Sequence, residues 1–122
     1  TRKESSAASD VYKRQHDAAK LLQGLGDLYL RVGQGPRALV LLLLAVQLNP
    51  DDPRLLARLA AAFTANGDGQ RALQTLDRLH GLQGESAAWL LLRSRALWSA
   101  GQHGEARTCF ARYRALRLED AA

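Results

Sequence analysis

Residues 22–42, LQGLGDLYLRVGQGPRALVLL, return twice along the chain with the same spacing of small and large side chains. The later copies are residues 56–76, LARLAAAFTANGDGQRALQTL, and residues 90–110, LLLRSRALWSAGQHGEARTCF. One glycine stands at the same place in each copy, 34 residues from the next: Gly33, Gly67 and Gly101. Because small positions stay small and large positions stay large at one fixed period, the sequence predicts three copies of one structural unit.

Each unit predicts two helices joined by a short turn. Leu22, Leu25 and Tyr29 are spaced to share one helix face, and Ala38 begins a second stripe of the same kind. The glycine between the two stripes stands where helices commonly end in left-handed backbone. The sequence therefore predicts an all-α solenoid with helices near 19–32, 36–48, 53–66, 70–81, 86–100 and 103–118.

The repeated side chains also predict the core. Small residues such as Gly26 and Ala38 would let the two helices of a unit approach closely, while large residues fill the space between units. In the third unit, this places Phe110 at a core position. Cys109 is the only cysteine and is expected to be a buried or half-buried, inert thiol.

Residues 1–15 differ from the rest of the chain. They are polar and show no helical or strand periodicity. Residues 6–15, SAASDVYKRQ, resemble translated library-adaptor sequence, so segment 1–15 is expected to be disordered or non-native, with a genuine disordered tail as the alternative. Without it the formal net charge falls from +5 to +3, because four basic and two acidic residues are removed. The repeat domain is then residues 16–122, with units at about 19–52, 53–86 and 87–120.

The units resemble the tetratricopeptide repeat, whose period is 34 residues. The resemblance covers about residues 19–120 and is weakest in the third unit, where Arg93 replaces Leu25 and Leu59, and Tyr113 replaces Ala45. It implies an interaction module whose first helices line a groove that holds a peptide. Transferred by position, the groove residues are Lys20, Gln23, Asp27, Leu30, Arg31, Arg54, Ala57, Ala61, Thr64, Ala65, Ala88, Leu91, Arg95, Trp98 and Ser99.

These groove positions lack the Lys/Arg–Asn clamp that the family uses for acidic C-terminal tails. Small residues lie at the centre, with Leu30, Leu91 and Trp98 at the sides, which favours an apolar partner segment. The alternative for Trp98 is packing on the terminal helix. Arg107, Arg114 and Arg117 share one side of that helix, which is typical of a solvated face or of a docking site for an acidic partner.

A second interface is expected on the helix that contains residues 39–44, LVLLLL. Only one stripe of this helix is needed for the repeat core, and Leu41, Leu44 and Leu48 lie on another side. A missing N-terminal helix, a partner protein or a second copy would cover them. The sequence therefore predicts that the protein can form a homodimer or a heterodimer.

Other classes of function find no support in the sequence. His16, His80 and His103 are isolated, and no glycine-rich segment continues into a phosphate-binding Gly-Lys-Ser/Thr. The longest apolar run, residues 38–46, is far shorter than a bilayer requires. We expect no enzyme activity, cofactor, metal, nucleic-acid binding or membrane insertion, and a cytoplasmic location.

A narrower resemblance is to the small YscY-type chaperones of bacterial type III secretion, which are short three-repeat proteins. It rests on the apolar helix that ends in Leu48-Asn49-Pro50, on Gln70-Arg71-Ala72 after Asn66-Gly67, and on Trp89-Leu90 followed by Arg95-Ala96 and Ala106-Arg107. It implies a cytoplasmic chaperone that holds a small secreted export component. The translocator-class secretion chaperones share the same plan. The alternatives are a generic tetratricopeptide adaptor, or a fragment of a larger tetratricopeptide-containing enzyme or regulator.

Overall fold

The computed structural model describes residues 2–121, which form six helices and the turns between them, without a strand in that range. The helices are α1 (Arg2–Arg31), α2 (Gly35–Leu48), α3 (Pro53–Ala65), α4 (Gly69–Gln83), α5 (Ala87–Ser99) and α6 (His103–Ala121). The predicted all-α architecture and the predicted helices are confirmed, with most boundaries within one or two residues. The start of α1 is the main difference.

Polar side chains cap three of the helices at their N-termini. The Asp52 carboxylate accepts a hydrogen bond from the Arg54 amide at 2.9 Å, and the Ser86 hydroxyl accepts one from the Trp89 amide at 3.1 Å. The Asp68 carboxylate caps α4 in the same way. Each cap satisfies an amide that has no partner within the helix, which fixes where the helix begins.

The repeated glycines end the first helix of each unit. Gly33, Gly67 and Gly101 have φ of 79°, 78° and 82°, in the left-handed region that side chains disfavour. This confirms the turn predicted at each of them. The turns are short, so the two helices of a unit pack directly against each other.

The helices form two rows. The first helices of the units, α1, α3 and α5, contact one another along the solenoid. The second helices, α2, α4 and α6, contact only helices adjacent in the chain order. Since the row whose members touch is the more tightly spaced one, α1, α3 and α5 form the inner face and α2, α4 and α6 form the outer face.

The core lies between the rows and repeats with the units. Leu42 and Leu76 occupy equivalent positions in α2 and α4 and are fully buried. Gly26 packs on Leu42 so closely that an added Cβ would lie 2.7 Å from the Leu42 Cγ. Ala38 is also fully buried. The small residues therefore permit the close approach that the sequence predicts.

The two ends of the solenoid depart from the predicted core. Phe110 was expected at a core position, but 43% of its surface is exposed, so that prediction is wrong. Leu25, on the predicted apolar face of the first helix, is 38% exposed. The physical reason is the same at both ends: the equivalent residues Leu42 and Leu59 are buried by neighbouring units, and Phe110 and Leu25 have no such neighbour among residues 2–121.

The beginning of α1 also departs from the prediction. The structure continues this helix back to Arg2, whereas the sequence shows no helical periodicity before residue 16. Residues 6–15 are exposed throughout and none of them belongs to the core, although Tyr12 and Gln15 line a small cavity with Leu48 and Asn49. Good helix formers such as Ala7, Ala8 and Lys13, without a glycine or proline, let the helix continue beyond the repeat units. That this segment is non-native stays a prediction.

Candidate partner-binding surface

The inner face exposes the predicted groove residues. None of them is fully buried. Ala57 and Ala61 of α3 lie half-buried at the centre, where their short side chains leave the helix surface open. The Thr64 hydroxyl donates a hydrogen bond to the Ala60 carbonyl at 2.9 Å and is therefore engaged within its own helix. The centre of this face offers mainly apolar contact.

One cavity of about 200 Å³ lies where α1, α3 and the end of α4 meet. It brings together three predicted groove residues, Gln23, Arg54 and Ala57. Arg58 and Gln83 also line it, and the sequence analysis missed both. Gln83 lies on a second helix, so transfer by position along the first helices had no means of finding it.

An ion pair links the first two inner helices. The Arg58 Nε lies 3.0 Å from the Asp27 carboxylate. The Asp27 side chain is only 20% exposed, while that of Arg58 is 52% exposed. Asp27 therefore forms a contact between two units and is not free to bind a partner. Arg54, which lines the same cavity as Arg58, has no carboxylate partner among the described residues.

Two other predicted groove residues lie at the end of the solenoid. Arg95 and Trp98 line a separate cavity of about 260 Å³ together with Phe110 and Arg107 of α6. The Trp98 ring stacks on the His103 ring with their centroids 4.0 Å apart, yet Trp98 is 52% exposed. Trp98 therefore both packs on the terminal helix and faces solvent.

A wide concavity lies on the outer face between α4 and α6, with a volume of about 950 Å³ and α5 as its floor. At its rim, the Arg112 guanidinium donates to both oxygens of the Glu85 carboxylate, at 2.7–3.0 Å. This hydrogen bond lowers the pKa of Glu85 and raises the pKa of Arg112. The sequence analysis did not predict this groove, although Glu85 and Arg112 stand one period after Asp51 and Arg78, which pair in the same way at 3.6 Å.

Buried polar groups fix the floor of the outer groove. The Trp89 indole donates to the Leu76 carbonyl at 2.8 Å, and the Arg93 guanidinium lies 5.7 Å from the centre of the Trp89 ring. Cys109 is 5% exposed, and its thiol donates to the Leu90 carbonyl at 3.3 Å. The prediction of a buried thiol is confirmed.

The leucine-rich side of α2 is open to solvent in part. Leu44 is 46% exposed and Leu41 is half-buried. Leu48 is half-buried and packs against the core, contrary to its predicted place on the other side of the helix. Leu41 lines an apolar cavity of about 440 Å³ with Val40 and Tyr29. This surface lies at the first unit, far from the cavity at Trp98.

Two further findings concern the described residues as a whole. No three His, Cys, Asp or Glu side chains within residues 6–121 gather as ligands for a metal ion. None of the helices in this range has the length and apolar character needed to cross a membrane.

Comparison with known proteins identifies the repeat. The family model of the tetratricopeptide repeat matches residues 29–93, which is more than half of the chain. The search of curated protein sequences found no match.

Solved structures show the same fold. The first TPR domain of the human RPAP3 protein is 19% identical, with a TM-score of 0.72, over 83% of this chain and 80% of that one. The TPR domain of Arabidopsis OM64 is 21% identical, with a TM-score of 0.75, over 86% and 87%. A MamA structure is 24% identical, with a TM-score of 0.71, over 87% of this chain and 60% of that one.

Proposed function

The chain belongs to the tetratricopeptide repeat family, and we propose that its inner face binds an apolar segment of a partner protein. Tetratricopeptide repeats are protein–protein interaction modules. The observation that carries the proposal is the open centre of the inner face, where Ala57 lines the cavity with Gln23 and Arg54 and Ala61 lies half-buried on the same helix.

The chemistry of this face favours an apolar segment over an acidic tail. The Asp27 carboxylate and the Arg58 guanidinium offset each other's charge across α1 and α3. Leu30 and Leu91 are half-buried at the two sides of the alanine-rich centre and offer aliphatic contact. A helical or extended peptide gains affinity there by burying apolar side chains, while Gln23 and Arg54 supply hydrogen bonds that set its orientation.

A substitution that fills the groove tests this proposal. Peptides selected from a displayed library against the protein should lose binding when Ala61→Trp places an indole at the centre of the inner face. The matched control is Gln74→Trp, at an exposed position on the outer face of α4. Peptides that bind the Ala61→Trp protein as well as the wild type would disprove the inner-face site.

The more specific function is that of a cytoplasmic chaperone for a small secreted component of a type III secretion system. Its support is the sequence resemblance around residues 33–50, 66–72 and 89–107, and the three-unit plan. Co-expression with small export components of such systems should yield a stable heterodimer on size exclusion. Export-apparatus genes beside this gene would agree with that result. If none of these components binds, the generic adaptor function is the better proposal.

A further inference from the structure

Within residues 6–121, the third unit exposes a face that the first two units keep covered. Leu42 and Leu76, at the equivalent positions of α2 and α4, are 0% and 1% exposed. Phe110 of α6 is 43% exposed, and Trp98 of α5 beside it is 52% exposed. Both line the cavity of about 260 Å³. In the first two units the next helix pair covers the equivalent face. The exposed face of the third unit therefore corresponds to the surface that internal units use to pack on each other.

We propose that this end face, formed by Arg95, Trp98, Ala106, Arg107 and Phe110, binds a short, acidic, amphipathic helix of a partner protein. Arg95 and Trp98 belong to the predicted groove residues, but their cavity is separate from the one that Gln23, Arg54 and Ala57 line, and the proposal does not depend on binding at that cavity. The charge of the face and a steric difference from the internal junctions support it.

One position of the repeat carries opposite charges in the first and third units. At the first junction Asp27 of α1 pairs with Arg58 of the covering helix α3, at 3.0 Å. Arg95 stands two periods after Asp27, so the end face presents the opposite charge at this position. The second junction carries Ala61 and Leu92 at these two positions and has no charge to match. A helix that covers Arg95 as α3 covers Asp27 is therefore favoured when it carries an acidic residue where α3 carries Arg58.

Further arginines extend the basic character of this side of α6. The Arg107 guanidinium lies 6.0 Å from the centre of the Trp98 ring, and the Arg117 guanidinium lies 5.9 Å from that of Tyr113. Arg95, Arg107 and Arg117 have no carboxylate within 4.0 Å in residues 6–121. Guanidinium groups held over aromatic rings are pre-organised to donate hydrogen bonds to carboxylates. The face therefore favours a partner with acidic side chains around an apolar centre.

A steric difference limits the length of the partner helix. Gly35 and Gly69 open α2 and α4, where the end of the covering helix comes very close. His103 takes their place at the start of α6 and stacks on Trp98. A covering helix as long as α3, which has 13 residues, would meet the imidazole with its last turn. The partner helix must therefore end about one turn earlier.

A second copy of this chain fits the face poorly. Its α1 would occupy the place of a covering helix and would bring Lys20 and Arg31 towards the arginines of the end face. Gly24 stands at the position of Arg58 and supplies no acid. Like charges oppose this association, so a partner of acidic character fits the face better than a second copy does.

Two short peptides taken from the covering helix test the proposal. Both span residues 52–62, DPRLLARLAAA, and end before the last turn of α3; a staple on the solvent side keeps them helical. One carries Arg54→Glu and Arg58→Glu, and the other keeps both arginines. Fluorescence anisotropy should show saturable binding of the acidic peptide to the wild-type chain. Arg95→Glu should weaken that binding about tenfold and reverse the preference between the two peptides.

Control variants separate this face from general charge attraction. Arg37→Glu makes the same charge change on α2, at the other end of the molecule, and should leave the affinity unchanged. Trp98→Ala should weaken binding while circular dichroism shows an intact helical fold, and Ala61→Trp should not affect it. The proposal is overturned if neither peptide binds, if Arg37→Glu weakens binding as much as Arg95→Glu, or if the chain alone forms a dimer that Trp98→Ala dissociates.

Discussion

Gly69, at the start of α4, lies against the backbone of Ala100 at the end of α5. An added Cβ on Gly69 would come 2.5 Å from the Ala100 nitrogen and 2.6 Å from the Ala96 carbonyl oxygen. Gly35, one period earlier, lies against the side chain of Asn66 instead, where an added Cβ would come 3.0 Å from the Oδ1; the Asn66 side-chain amide donates to the Gly35 carbonyl at 3.0 Å. The units therefore make their closest approach where a glycine opens the second helix.

We expect Gly69→Ala to destabilise the protein by about 1–3 kcal/mol, because backbone atoms cannot rotate away from the added methyl group. Urea unfolding followed by circular dichroism measures this change. Gly81→Ala is the matched control in the same helix, since nothing lies within 4 Å of a Cβ there. It should be neutral or stabilising by up to about 1 kcal/mol, because alanine favours the helix. Equal effects of the two substitutions would contradict the close approach.

The 34-residue period predicts most of the fold because residues at equivalent positions make the same contacts in every unit. Helix boundaries, the buried Leu42 and Leu76, and the small Ala38 all follow from the repeat. The role of Gly69 does not follow, since a glycine just after a turn is explained equally well by the turn itself. Phe110 was misplaced because a periodic pattern assigns an end residue the neighbours of an internal one.

The candidate sites were predicted less completely than the fold. Gln23, Arg54 and Ala57 were found by position and meet in one cavity. Arg58 escaped notice because its role is an ion pair with Asp27 across two units, at a position where the other units carry no arginine. The outer groove depends on Glu85 and Arg112, which repeat the ion pair of Asp51 and Arg78 one period later. The two partners of each pair lie 27 residues apart, so periodicity places them in register but does not show that they meet; the three-dimensional path of the chain does.

Deletion of residues 1–15 should leave the melting temperature unchanged. Residues 6–15 are exposed along the beginning of α1, so their removal takes little apolar surface out of the core. The far-UV circular dichroism signal should fall, because these residues are helical in the structure. Thermal unfolding of the shortened and full chains makes the comparison, and a drop of several degrees would show that the segment packs on the repeat domain.

The ion pair between Glu85 and Arg112 should make stability depend on pH in the acidic range. The pKa of Glu85 is lowered in the folded protein, mainly by its hydrogen bond to Arg112, so the folded chain binds fewer protons than the unfolded chain. The contribution of the pair is present above the ordinary pKa of 4.5 and is lost as the pH falls through the lower folded value. Since the pair lies at the surface, the effect should be small.

Thermal unfolding of wild type and Glu85→Gln between neutral and strongly acidic pH measures this dependence. The difference in melting temperature should be present at neutral pH and should shrink at pH values below that ordinary pKa. Arg112→Gln should show the same convergence, because either substitution removes the same pair. A difference that stays constant down to strongly acidic pH would assign the effect of Glu85 to something other than this ion pair.

The leucine-rich side of α2 should mediate association rather than hold the fold together. Leu44 is 46% exposed and Leu41 is half-buried, whereas α4 carries Arg78 and Thr75 at the equivalent positions. The repeat itself therefore tolerates polar residues there. Full burial of a leucine side chain stabilises by roughly 1.5–3 kcal/mol, so a protein that covers both residues gains appreciable affinity. Leu41→Gln combined with Leu44→Gln should weaken complex formation, measured by sedimentation velocity, while the helical signal remains, because glutamine is a good helix former.

Ala38→Leu provides the contrast on the same helix. Ala38 is 0% exposed at the crossing of the helices, so a larger side chain overpacks the core and should lower the melting temperature of the isolated chain. The two variants thus separate a surface that binds another molecule from a surface that holds α2 in place. If the double glutamine variant associates normally, Leu41 and Leu44 do not form an interface. If instead it unfolds as readily as the Ala38 variant, the two leucines belong to the core of the folded chain.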